Sequence, residues 1–186
     1  MYKILIADDE ALMRKGLCTL IDWAKLGCQI VGTAENGLQA KQAVLDYQPD
    51  IIIADIKMPV MDGLELARWV CGAQRQIQII LLTAFADFSY AQQAIQYGVS
   101  DYVTKTGNMN DIVAAVERCK QKLEQQRLLS WLGKAMSFAG EKASDGLDWA
   151  LQRIREGYED LMQASLPTRK IHTLIGEFRV LFREIP

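Results

Sequence analysis

The chain has 186 residues, 21 Lys plus Arg against 23 Asp plus Glu, and half of its residues are hydrophobic. That length suits one generous domain, or one ordinary domain and a smaller unit, because single cores occupy roughly 100–200 residues. The apolar half excludes a disordered chain, the formal charge of -2 argues against a broad nonspecific nucleic-acid surface, and no apolar run approaches the roughly 18–20 residues of a membrane span.

In chain order, short continuous aliphatic runs alternate with stretches of helical period. Strands are predicted at residues 3–7, 29–33, 51–54, 77–82 and 101–103. Helices are predicted at residues 11–20, 37–47, 63–71, 88–97 and 108–126, with Pro49, Pro59 and Gly98 marking edges. Continuous rather than alternating apolar strands point to a parallel sheet covered on both faces. The expectation for residues 1–126 is therefore a doubly wound α/β domain, a flavodoxin-like (βα)5 fold whose ligands gather at the C-terminal strand ends.

Beyond residue 126 the strand pattern stops. Leu147, Ala150, Leu151, Ile154, Tyr158, Leu161 and Met162 repeat at helical spacing, and Ile171, Leu174, Ile175, Phe178, Leu181 and Phe182 do so after Pro167. Residues 127–186 thus read as a helical extension, an αα-hairpin that needs a partner surface because two amphipathic helices make a marginal core. Leu128, Leu129, Leu132 and Met136 fit either a continuation of the preceding helix or a separate one. Trp131 and Trp149 are candidate anchors, and His172 reads as a solvated helix residue. Cys18, Cys28, Cys71 and Cys119 lie far apart with no C-x-x-C pair and read as reduced packing residues. Three acidic residues follow only four apolar ones at the N-terminus, too short for a signal-peptide core, so a cytoplasmic protein without membrane contact is expected.

Polar residues punctuate the predicted strand ends. Asp8 and Asp9 follow the first strand and Asp55 closes the third, so three carboxylates converge on one crevice. Left bare they would repel one another, and a divalent cation with oxygen ligands, Mg²⁺ in particular, would relieve this. Capping of the next helix is the plainer reading of Asp8 and Asp9. Thr83 ends the fourth strand and Lys105 follows the fifth, adding a hydroxyl and a positive charge suited to a phosphoryl oxygen or to the carboxylates.

Asp8-Asp9-Glu10, Asp55 followed by Ile56-Lys57-Met58-Pro59 and Asp62-Gly63, Thr83-Ala84, and Tyr102 ahead of Thr104-Lys105 together resemble the receiver domain of two-component response regulators. The resemblance implies that Asp55 is the phosphoacceptor and that Asp8, Asp9, Asp55 and the backbone carbonyl of Lys57 hold Mg²⁺. It implies further that Thr83 and Lys105 contact the phosphoryl group and that Thr83 and Tyr102 form the switch. A sensor histidine kinase would be the donor, and the chain would accept phosphate rather than turn over a separate substrate. Lys57 and Phe85 occupy the two positions that flank the path of a hydrolytic water in this family.

The stretch from Thr83 to Ile95 looks like receivers joined to AraC-type DNA-binding outputs, of the kind called YesN-like. A full output of that type needs more than the sixty residues after 126, so DNA contact is expected only through a missing or atypical output. Self-association, as a homodimer through the receiver or the extension, is the leading expectation, and an Mg²⁺-dependent phosphohydrolase is a third class. The family usually carries Pro after the lysine, where this chain has Thr106. A non-proline residue disfavours cis by about 2.5–4 kcal/mol, so a trans bond and a shifted Lys105 are expected.

Overall fold

The computed structural model describes residues 1–72, 76–84 and 88–142, with backbone alone at residue 88 and residues 131–142. The order is β1 (Tyr2–Ala7), α1 (Ala11–Leu20), β2 (Cys28–Ala34), α2 (Gly37–Tyr47), β3 (Ile51–Asp55), α3 (Gly63–Gly72), β4 (Gln78–Thr83), α4 (Phe88–Gln96), β5 (Asp101–Thr104) and α5 (Met109–Lys142). Two compact units are distinguished, Met1–Lys120 and Gln121–Pro186.

The five strands form one parallel sheet in the order β2-β1-β3-β4-β5. This is the flavodoxin-like arrangement expected from the alternating pattern, and it places the topological switch point at β1 and β3. Ile51, Ile52, Ile53 and Ala54 are fully buried, as are Ile4, Leu5, Ile6 and Ala7. Burial on every residue, rather than every second one, is what helices on both faces require. The edge strand β2 instead mixes buried and exposed positions, and its register against β1 slips where Leu5 pairs with Gly32, leaving Val31 over as a bulge.

Helix starts are chemically marked. The Asn36 side chain accepts from the Gln39 N–H at 2.8 Å to cap α2. Before α3, Asp62 Oδ1 accepts from the Glu65 N–H at 2.7 Å while Glu65 Oε2 accepts from the Asp62 N–H at 3.1 Å, a reciprocal capping box. Within the first unit, Ile112, Ala115, Val116 and Cys119 form the buried stripe of α5 at three and four spacing.

α5 runs on to Lys142, sixteen residues past the expected end at 126. Residues 109–132 contain neither Gly nor Pro, and Gly133 and Gly140 each disfavour a helix by only about 1 kcal/mol relative to Ala, too little to end it. Of the two readings of Leu128 to Met136, continuation of the helix is the one observed. The hairpin stripes, Trp149, His172 and Phe85 lie outside the described residues, as does the side chain of Trp131. None of the four cysteines is in a disulfide. Among the described residues no helix is long and apolar enough to cross a membrane.

Candidate functional site

β1 and β3 are direct neighbours, with Ala7 paired to Ala54, so the residues that follow, Asp8 and Asp55, leave the sheet side by side. Both are buried, at 0% and 5% exposure, while Asp9 and Glu10 are exposed. Oxygens from the carboxylates of Asp8, Asp9, Glu10 and Asp55 all lie within 4.8 Å of one another. Lys105, just past β5, sends its ammonium into this group: Nζ stands 2.9 Å from Asp8 Oδ2, 2.9 Å from Asp55 Oδ2 and 3.2 Å from Glu10 Oε1.

Capping explains little of this. Asp8 Oδ1 accepts from the Glu10 N–H at 2.9 Å, yet the N-cap residue of α1, Glu10, makes no side-chain cap bond. The other oxygen, Asp8 Oδ2, is buried and receives no well-directed hydrogen bond, although the Lys105 ammonium lies close by.

The electrostatics are those of crowded like charge with one half-buried counter-charge, Lys105. Burial pushes the Asp55 carboxyl above the ordinary carboxylate range; hydrogen bonding and charge from Lys105 oppose this, the Asp8 charge adds to it, and the Lys57 N–H opposes it again. Burial alone would push the Lys105 ammonium down, but its close approach to the Asp8 and Asp55 carboxylates outweighs that and holds it above the usual lysine range. The Lys105–Thr106 bond is trans, and no cis peptide occurs among the described residues. The Lys105 N–H donates to the Thr83 carbonyl at 2.6 Å, which seats the lysine against the end of β4.

A cavity of about 390 Å³ opens at this edge, lined by Asp9, Glu10, Asp55, Lys57, Thr83, Ala84, Tyr90 and Lys105. Four strand ends, those of β1, β3, β4 and β5, thus bring together Asp8, Asp9, Asp55, Lys57, Thr83 and Lys105. Tyr102 does not line the cavity: its ring packs on the core that includes Leu81 and Ala94, and its hydroxyl is buried without a hydrogen-bond partner. Glu10, Tyr90 and Arg14 stand at or behind the site beyond the residues that the sequence singles out. Glu10 is contiguous with the acidic pair. Nothing in the linear sequence signals that Tyr90 of α4 stands at the cavity with the Lys57 ammonium 6.0 Å from its ring.

The Asp55 loop closes tightly underneath. The Gly63 N–H donates to the Ile56 carbonyl at 2.9 Å, and a Cβ on Gly63 would lie 2.1 Å from the Asp55 carbonyl oxygen, so only glycine allows α3 to start here.

Residues 4–117 match the family described as the response regulator receiver domain. The chain belongs to the response regulator receiver family. Among curated relatives of this receiver, the uncharacterized transcriptional regulatory protein YesN of Bacillus subtilis (strain 168) is 38% identical over 155 residues, 79% of this chain and 42% of that protein. The transcriptional regulatory protein HptR of Staphylococcus aureus is 31% identical over 127 residues, 68% of this chain and 50% of that one. This receiver chain therefore spans about half the length, or less, of these relatives. Among solved structures, the REC domain of AraT, a response regulator from Geobacillus stearothermophilus, superposes with a TM-score of 0.63 at 37% identity, covering 68% of this chain and 98% of that one. A DNA-binding response regulator of the LuxR family from Staphylococcus aureus gives 0.60 at 28% identity, covering 64% and 98%.

Proposed function

We propose that this receiver accepts a phosphoryl group on Asp55 from the phosphohistidine of a sensor histidine kinase in the cytoplasm, and that the modification switches self-association or partner binding. The observation that carries the reading is the Lys105 ammonium shared at 2.9 Å by the Asp8 and Asp55 carboxylates, where Lys105 and Asp55 line a cavity together with Asp9, Glu10 and Thr83. Lys105 favours the ionised form of Asp55 against its burial, so a carboxylate oxygen can attack phosphorus. The P–O bond forms as the P–N bond of the donor breaks. The electron pair stays on the imidazole nitrogen, which takes a proton from water. Lys105 then neutralises charge on the phosphoryl oxygens and the Thr83 hydroxyl donates to one of them.

The donor set fits Mg²⁺. Hard oxygens around one ion at roughly 2.1 Å lie within about 4.2 Å of one another, close to the 4.8 Å span seen, and the buried Asp8 Oδ2 has bonding capacity to spare. Asp8, Asp9, Asp55 and the Lys57 carbonyl would hold the ion, which when bound supplies charge neutralisation to the transferring phosphoryl group. Thr83 and Tyr102 would carry the switch. No separate substrate is turned over in this reading.

The test is incubation with a small phosphodonor and Mg²⁺. Asp55→Ala should reduce labelling to background, and persistent labelling would disprove the assignment.

A second reading is favoured by one observation: the match to YesN extends over 155 residues, further than the receiver segment itself, and that protein is named a transcriptional regulatory protein. Under it, phosphorylation of this receiver controls DNA binding by an output domain. Gel shifts on promoter DNA with beryllofluoride, run beside size exclusion of the same samples, separate DNA output from self-association.

A further inference from the structure

Arg14, in the first turn of α1, is not part of the set that faces the cavity, yet it holds the backbone that carries that set. Its side chain is 14% exposed. Nη1 donates to the Asp8 carbonyl at 2.7 Å and to the Asp9 carbonyl at 3.1 Å, while Nη2 donates to Glu35 Oε1 at 2.6 Å. Glu35 is itself placed at the end of β2, where its N–H donates to Gln39 Oε1 at 3.0 Å beside the Asn36 cap of α2. One planar guanidinium thus ties the two consecutive acidic residues to the start of α2, across the β1–β2 edge.

We propose that Arg14 is a positioning residue for the cation site: it fixes the Asp8-Asp9 turn so that both carboxylates are presented together, and Glu35 orients and neutralises it. This rests on the reading of Asp8 and Asp9 as Mg²⁺ ligands.

Two effects of Arg14 oppose each other. Its positive charge near the site repels a divalent cation, whereas its two carbonyl hydrogen bonds preorganise the ligands. Glu35 offsets the first effect and supports the second. Lysine at this position keeps the charge and loses the fork that reaches two carbonyls and a carboxylate at once, so Arg14→Lys isolates the positioning effect. Partners that orient metal ligands typically change affinity roughly 10–100-fold when removed.

The experiment is calorimetric titration of the full chain with Mg²⁺, for wild type, Arg14→Lys, Arg14→Ala and Glu35→Gln, with circular dichroism as a folding check. Arg14→Lys should weaken Mg²⁺ binding roughly tenfold. Arg14→Ala should weaken it less, since the lost repulsion offsets part of the effect. Glu35→Gln alters an exposed partner and should cost about 2–3-fold; it carries the test if the Arg14 variants do not fold. Labelling of Asp55 by a small phosphodonor in Arg14→Lys should recover to near the wild-type rate at saturating Mg²⁺. Wild-type Mg²⁺ affinity in Arg14→Lys, or tighter binding in Arg14→Ala, overturns the clamp. Failure of the wild type to bind Mg²⁺ overturns the underlying site instead.

Discussion

The two sides of the cavity are built differently. On the β1–β3 side the backbone is closed by bonds at every turn: Gly63 N–H to Ile56 carbonyl at 2.9 Å, Met61 N–H to Pro59 carbonyl at 2.8 Å, and Gly37 N–H to Met61 carbonyl at 2.9 Å. Val60, at the centre of the second of these, adopts φ 69°, a left-handed conformation that β-branched residues avoid. On the β4–β5 side, the Lys105 N–H to Thr83 carbonyl bond seats the lysine, but the buried Tyr102 hydroxyl is left without a partner. The charged side is prebuilt at the expense of strain and like-charge crowding. The β4–β5 side keeps a buried donor that gains a bond in any rearrangement that offers it one.

The sharpest way to break the first side is Gly63→Ala. Its Cβ would sit 2.1 Å from the Asp55 carbonyl oxygen, backbone that cannot yield without moving α3 or β3. A loss of about 3 kcal/mol is expected in urea unfolding, at the upper end for overpacking. A loss below about 1 kcal/mol would mean that α3 slides freely and that the Asp55 side is no more rigid than the other.

A change of opposite sign is expected at Asp55 itself. Because folding raises the Asp55 pKa, the folded state holds its proton more tightly than the unfolded chain does. Stability from this group is therefore full below the unfolded value, near 3.9, and is lost as pH rises through the folded value. At neutral pH the ionised carboxylate is a net cost to the metal-free fold, so Asp55→Asn should stabilise it by about 1 kcal/mol, the usual yield of relieving a functional site. The gain should shrink as pH falls toward 4 in a series of urea titrations in chelator. A destabilised variant at pH 7 would show that the Lys105 contact outweighs burial.

These two sides were not equally legible in the sequence. Asp8, Asp9, Asp55, Thr83 and Lys105 could be put on one sheet edge because continuous aliphatic runs such as Ile51 to Ala54 fix where strands end, and parallel strands end on one side. The close approach beneath Asp55 is compressed into the Asp62-Gly63 pair, where a capping residue and a residue without a side chain stand together. Arg14 and Glu35 meet across 21 positions, and Tyr90 reaches the cavity from α4. Those contacts depend on how elements pack, which periodicity does not encode. The end of α5 stays open in the sequence for another reason: past residue 126 the strand pattern is gone, but nothing there breaks a helix.

The smallest expected effect lies on the β5 side. Tyr102→Phe removes a hydroxyl that is buried and unpartnered while keeping the ring against the core. A buried polar group without a partner costs roughly 1–3 kcal/mol, and only part of that is recovered because the space of one oxygen is left behind. The variant should therefore equal or exceed the wild type in stability by up to about 1 kcal/mol in urea unfolding. A loss of about 1 kcal/mol would instead reveal a bond to the hydroxyl, such as an ordered water, and would leave Asp8 Oδ2, on the β1–β3 side, as the buried polar atom without one among the described residues.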